Sequence, residues 1–370
     1  MSGAWRKWAG KRWRALAAGG TAAAAAAAAG LTLAAQPAQA AAVCVAGGGC
    51  YPTIQAAVNA AHAGDTITIG AGTFAGGITV TKSIHLDGAG AASTTIRGGG
   101  HVLTIGTYDA KTEPTVSISG VTITGGLARS SPESVAFNGE DGAWAEGGGI
   151  EVPPGRDFGN GATVTISDSV ITGNRVNPST GSPSGIACPG GFPKGQCPFA
   201  PAYGGGIGTW GALTLIRTTV TDNSAGAAPG QPGTASDADG GGIYSRQGGL
   251  TLDDAVVTGN HTTAAAPVGR FAEGGGIWAG VPDFGPGANV GHETVVIKDS
   301  RISGNSVRLS TGLPATYGGK AVSLVANTGG IKVNLNTPVT TVQNTVISGN
   351  LAVSTTPNGN GDAIDAGMNV

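Results

Sequence analysis

The chain has 370 residues, 68 of them glycine; 11 % are charged and 40 % hydrophobic. So little charge with so much apolar content excludes charge-driven disorder, and glycine without a three-residue period excludes collagen. A formal net charge of −2 with no basic stripe speaks against nucleic acid as a partner.

In chain order, the first segment reads as an export signal. Arg6, Lys7, Lys11, Arg12 and Arg14 make a positive start, Ala15 to Leu33 is apolar, and Ala38-Gln39-Ala40 is a small-x-small cleavage site. The expectation is a signal peptide over 1–40 and a secreted, extracellular or cell-surface product over 41–370. Removing the leader leaves 15 basic against 22 acidic residues, net −7. That charge disfavours nucleic acid and anionic membranes and suits cations. No second long apolar stretch follows, so no membrane insertion of the mature chain is expected. Four cysteines remain: Cys44, Cys50, Cys188 and Cys197. Export favours disulfides, and of the three pairings the two local ones close short loops.

Thr53 to Ala63 carries Ile54, Ala57, Val58 and Ala61 at helical spacing, with Thr53 as N-cap and Gly64 as stop. A short amphipathic helix at this point would cover the open end of a solenoid core. Asp65 to Phe74, Ile78 to Leu86, Thr94 to Ile105 and Val116 to Ile123 read as strands.

From about 115 to 365 the chain repeats itself. A glycine block ending in Ile recurs at Gly147–Ile150, Gly204–Ile207, Gly240–Ile243 and Gly274–Ile277, with decayed copies at Gly318–Ala321 and Gly361–Ile364. A second block ends in Asn174, Asn223, Asn260, Asn305 and Asn350. Eight residues before each Asn stands a branched apolar residue (Ile166, Leu215, Leu252, Ile297, Val342), and three before it another (Ile171, Val220, Val257, Ile302, Ile347). Short half-buried strands with glycine corners cannot each bury a face alone; stacked on copies of themselves they share one core. The predicted class is therefore an all-β solenoid. Its Asn column would be a structural ladder and its glycine blocks tight corners, with no phosphate loop.

Tyr51 to Asp65, followed by Thr66 to Ile69 and Ala71 to Phe74, resembles the opening of right-handed parallel β-helix proteins of the pectin-lyase-like superfamily, and Ile78 to Gly90 continues the pattern. The two repeat blocks are similar to those of polymorphic outer-membrane proteins. The resemblance spans roughly 43–365. It implies a single-stranded right-handed parallel β-helix with an N-terminal capping helix. The superfamily mixes lyases, hydrolases, epimerases and non-enzymes, so the resemblance implies a fold and no particular reaction.

Two columns flank each glycine block. Before it stand Glu146, Tyr203, Asp239, Glu273 and Tyr317. Asp239 and Glu273, on neighbouring coils, would share a proton, bind a cation such as Ca²⁺, or splay into water. With Arg270 or Arg246 they are the candidate catalytic residues. After the block stand Glu151, Gly208, Tyr244 and Trp278. Tyr244 and Trp278 would form an exposed aromatic step, with Trp210 nearby, for binding the apolar faces of sugars. Arg217 is expected to pair with Asp254 of the next coil at the surface. The family signatures Gly-His-Gly and Arg-Ile-Lys are missing, and the five His are scattered. The functional expectation is an exported β-helix that binds extracellular polysaccharide or a surface partner in a side groove. The alternative is a polysaccharide lyase or glycoside hydrolase on acidic polysaccharide, and the third reading a structural adhesin or spacer. Gly361 to Ile364 would open a last coil without its Asn block, leaving an edge for self-association.

Overall fold

The computed structural model describes residues 42–129, 145–178, 201–226, 237–264, 271–280, 294–310, 316–317, 320–321, 325–333, 339–355, 362–365 and 368–369. The expected signal peptide, Cys188, Cys197 and Arg270 lie outside the described residues.

Parallel strands stack in five sheets. Three of them enclose the main core and form the body. On the first face, Ile118, Ile166, Leu215, Leu252, Ile297 and Val342 lie side by side in register. On the second, Ile96, Ile123, Ile171, Val220, Val257, Ile302 and Ile347 do the same. On the third the column is Leu103, Ile150, Ile207, Ile243, Ile277 and Ile331. These columns meet in one continuous cluster. Each strand alternates, so its polar partners face outward. The chain is thus a parallel β-helix. The predicted strands are each split by a bend, giving for example Thr66–Ile69 and Gly72–Ala75 where one run was expected.

The head of the core is closed as the helical periodicity predicts. Ile54–Ala60 is a helix that buries Ile54, Ala57 and Val58, and the Thr53 side chain accepts from the Ala56 N–H. Its C-terminus is closed by Lys82, whose Nζ donates to the carbonyls of Val58, Asn59 and Ala61 at 2.7–3.3 Å. A short hairpin stapled by the Cys44–Cys50 disulfide runs antiparallel to the first coil strand.

The remaining two sheets were not expected. Segments on either side of the long insertions continue as strands. Leu127–Ala128, Arg175–Val176, Ser224–Gly226, His261–Ala264, Ser306–Ser310 and Leu351–Thr355 run outward. Ala145–Glu146, Ala202–Tyr203, Asp237–Asp239, Phe271–Glu273 and Val325–Asn327 return. The two sheets face each other across a second core of small residues, among them Ala128, Ala145, Ala202, Ala225, Ala238 and Ala272. Small side chains let the sheets approach closely, so the result is a thin fin projecting from the body.

The Asn ladder and the glycine blocks are the two sides of the neck where fin meets body. Each Asn Oδ1 accepts from both the backbone N–H and the Nδ2 of the Asn one coil before it, at 2.9–3.1 Å throughout. Each Nδ2 also donates to a carbonyl of the preceding coil, as Asn260 does to Val220 at 3.0 Å. Opposite, a Cβ on Gly149, Gly206, Gly242 or Gly276 would lie within about 3 Å of the Asn side chain it covers. No other residue fits there.

Three sequence expectations are corrected. The fifth glycine block is Thr328 to Ile331, since Gly276 N donates to the Gly330 carbonyl and Ile277 pairs with Ile331. Lys320–Ala321 instead pairs antiparallel with Thr316–Tyr317, which takes Tyr317 out of the column. Asp362–Asp365 runs antiparallel to Leu351–Thr355, so the expected coil does not open there; Met368–Asn369, just beyond, pairs parallel with Ile331–Lys332 on the third face. Arg217 pairs bidentately with Asp168 of the preceding coil, at 2.7 and 2.8 Å, and not with Asp254. Both partners of that pair are half exposed, so it contributes little.

Asn260→Ala, in the middle of the ladder, should destabilise by about 3 kcal/mol or more in chemical denaturation, because it strands buried donors and acceptors on two coils. Asn350→Ala, at the end, should cost nearer 1 kcal/mol. Thr328, a β-branched residue at φ 52°, occupies a place that Gly fills in the other copies. Thr328→Gly should stabilise by roughly 1 kcal/mol in the same assay.

Candidate functional site

The fin turns the outer surface into a corner. Its return strands form one wall and the third face of the body the other. Ala145 lies in the fin core, so Glu146 points out of it; Ile150 and Val152 lie in the body core, so Glu151 points out of that. The fin wall carries the column Glu146, Tyr203, Asp239, Glu273 and Asn327. The body wall carries Thr104, Glu151, Gly208, Tyr244, Trp278 and Lys332. Asp239 and Glu273 are register neighbours, as the repeat spacing predicts.

Side chains meet on the diagonal: a fin residue of one coil reaches the body residue of the next. Tyr203 stacks on Tyr244, with centroids 4.6 Å apart. Glu273 Oε1 lies 3.7 Å from Lys332 Nζ. Glu146 lies over Gly208, where a Cβ would fall within about 3 Å of the Glu146 Cγ. The stack continues from Tyr244 to Trp278, again at 4.6 Å.

The expected exposed aromatic step is therefore corrected. Tyr244 and Trp278 are 2 % and 5 % exposed and cover each other's ring faces. Trp210 is also buried; its Nε1 donates to Glu146 Oε2 at 3.1 Å, and the Arg246 guanidinium sits 3.9 Å above its ring. Phe158 packs against the Trp210 ring at 5.9 Å and Tyr108 against Phe158 at 5.9 Å.

The electrostatics divide the corner in two. At its head Glu146 and Glu151 are each 1 % exposed. Burial pushes Glu146 up to about 8, helped by the charge of Glu151 and opposed by Arg246, the Trp210 N–H and His101. His101 Nε2 stands 2.9 Å from Glu151 Oε2. Further along, Asp239, Glu273 and Lys332 are partly accessible. Burial of its carboxyl, then the charges of Glu273 and Asp237, hold Asp239 well above the usual carboxylate range. The Asp239 Oδ1 is enclosed and has no hydrogen-bond partner. Asp239 thus leans toward its protonated form, one rung from Glu273.

Among the described residues, no group of three or more His, Cys, Asp or Glu side chains is arranged to hold a metal ion. The Ca²⁺ expected at Asp239 and Glu273 finds an amine, Lys332, already beside Glu273. Of the other expected site residues, Tyr244, Trp278, Trp210 and Glu151 all line this corner or its back. His101, Arg246 and Lys332 join it from outside the expected ligand columns. Lys332 was hidden by the misplaced fifth glycine block; Thr328-Gly-Gly-Ile331 was the signal. His101 carried none beyond standing just ahead of a third-face strand.

No protein-family model matches this chain, and no curated protein or solved structure is significantly similar to it. The corner's chemistry therefore has to be read from its own residues.

Gly208→Ala should cost about 1–3 kcal/mol, because the new methyl collides with Glu146 and with the Gly147 amide. Displacing Glu146 should also change the environment of the Trp210 indole N–H, read as a shift of its resonance.

Proposed function

We propose that this chain is an exported β-helix of the pectin-lyase-like kind, and that it binds extracellular polysaccharide along the corner between fin and body. The observation that carries the reading is the register. Like positions recur about every 4.8 Å up the corner, so an extended polymer lying along it meets the same walls at each step. The accessible stretch offers an acid, a carboxylate beside an amine, and a phenol (Asp239, Glu273 with Lys332, and Tyr203), groups suited to sugar hydroxyls. In the accessible stretch the Glu273 carboxylate is balanced by the Lys332 amine, and a wall with no net positive charge favours a neutral polymer over a uronate-rich one.

A second reading, a glycoside hydrolase at the same place, is favoured by Asp239. A carboxyl group whose burial favours the protonated form, one rung, about 5 Å, from Glu273, has the spacing of the two carboxyl groups of a retaining glycosidase. Asp239 would protonate the leaving oxygen.

A panel of neutral and acidic polysaccharides separates the readings. Affinity electrophoresis should show retardation by neutral polymers, weakened at least tenfold by Glu273→Gln or Lys332→Gln and unaffected by EDTA. Retardation without reducing-end release supports binding alone. Release abolished by both Asp239→Asn and Glu273→Gln supports hydrolysis. Retardation by uronate polymers only, or by none, would overturn both.

A further inference from the structure

The head of the corner has a proton count that the binding reading does not use. His101 stands just before the strand Leu103–Ile105, and both its ring nitrogens face groups of the next coil. Nδ1 lies 2.8 Å from the Gly147 carbonyl. A carbonyl oxygen only accepts, so Nδ1 carries a proton. A neutral imidazole would then present a bare lone pair at Nε2. That lone pair would face Glu151 Oε2, another acceptor, at 2.9 Å inside a site where Glu151 is 1 % exposed. Two unprotonated acceptors repel at that distance in a buried place; a second proton on the His101 ring turns the contact into an ion pair, with Glu151 Oε2 making no hydrogen bond in this geometry.

Glu146 extends the arrangement. It stands on the other wall, its Oε2 accepts from Trp210 Nε1, and the groups acting on it are Glu151, His101 and Arg246. Asp237 and Tyr203 lie on the next fin strands, and Asp237 is 7 % exposed. With Glu146 protonated, one positive guanidinium and one ion pair face a neutral acid. With Glu146 ionised, two buried carboxyl groups from opposite walls face each other.

We propose that His101, Glu151 and Glu146 form a proton-held latch, which fastens the first fin rung to the body in mildly acid solution and releases it as the solution becomes alkaline. The latch ties three pieces of chain distant in sequence: the loop carrying His101, the segment from Glu146 to Glu151 where fin meets body, and Trp210 of the next coil. Releasing it costs the His101–Gly147 and Trp210–Glu146 bonds together.

The direction of the pH effect follows from linkage. Glu146 has its folded value raised from 4.5 to about 8, so the folded state holds a proton that the unfolded state releases. Its contribution is fully present below about 4.5 and is lost as pH rises toward 8. Asp239, also raised, acts with the same sign, so its effect has to be subtracted with its own variant.

The test uses the full exported chain with Asp239→Asn as the background. Thermal unfolding from pH 5 to pH 9 should show Tm falling by on the order of 5 °C or more. Glu146→Gln keeps an acceptor for Trp210 and removes the titrating proton. Glu151→Gln supplies an N–H to His101 Nε2 that does not titrate. The double variant should flatten the slope to 1–2 °C or less. An equally steep slope in the double variant would overturn the latch. A second measurement needs no variant: the His101 ring nitrogens of the wild-type chain, followed by NMR, should keep both protons in place through the ordinary histidine range around 6.5. Ordinary titration of that ring would also sink the proposal.

Discussion

The architecture depends on one contact, the seating of each glycine block against an Asn rung. The Asn needs a buried site in which its Oδ1 takes two donors and its Nδ2 finds two acceptors. Such a side chain is costly when unsatisfied, and here it is satisfied only by its own copies one coil away. The glycines supply the room. Gly149 against Asn174 and Gly242 against Asn260 are close enough that any Cβ would collide. Because both elements recur, the chain has to cross at the same height in every coil, which fixes the coil spacing more tightly than apolar columns could. Apolar packing is tolerant of sliding; a hydrogen-bonded ladder is not.

The same neck creates the corner. Had the chain passed directly from the Asn to the third face, the outer surface would be convex and the outward side chains would diverge into water. The fin makes two walls at an angle, so that Tyr203 meets Tyr244 and Glu273 meets Lys332 across it. The fin itself stands on little: a core of alanine with a few larger residues gives less apolar burial than the Ile and Leu columns of the body. It is stable because it is laddered on both sheets and anchored at its root. Its small side chains explain why the composition is so poor in aromatic residues yet carries two long stacks of strands.

Much of the body was legible. The Ile, Leu and Val spacings before each Asn fell on two faces, the helix after Thr53 formed with that residue as its cap, and Cys44 met Cys50. These signals are local or strictly periodic. What escaped was set by three-dimensional closure. The fin strands are alternations of two to five residues beside long insertions, too short to announce themselves, and their core of Ala looks like loop composition. The fifth glycine block was misplaced because Gly318-Gly319 mimics it, while the true copy has Thr328 in the left-handed position where Gly is expected. That one slip removed Lys332 from view and put Tyr317 in its neighbour's place. At the corner, the columns containing Asp239, Glu273, Tyr244 and Trp278 were correct, and their environment was not. Whether an outward ring is exposed depends on the diagonal pairing between walls, and no single-coil pattern encodes an angle.

That diagonal also explains the gradient along the corner. At the head, the body wall offers Gly208 opposite Glu146, and the missing side chain lets the acid lie flat and be buried against Trp210 and Arg246. In the middle, two Tyr fill the same space with ring faces. Beyond them, Lys332 opposite Glu273 is too hydrophilic and too long to be enclosed, so that end stays open to solvent with Lys332 23 % exposed. One backbone geometry thus yields a closed acidic head and an accessible polar tail, and the difference lies in which side chain each coil places on the body wall. A polymer entering such a corner can engage only the open end.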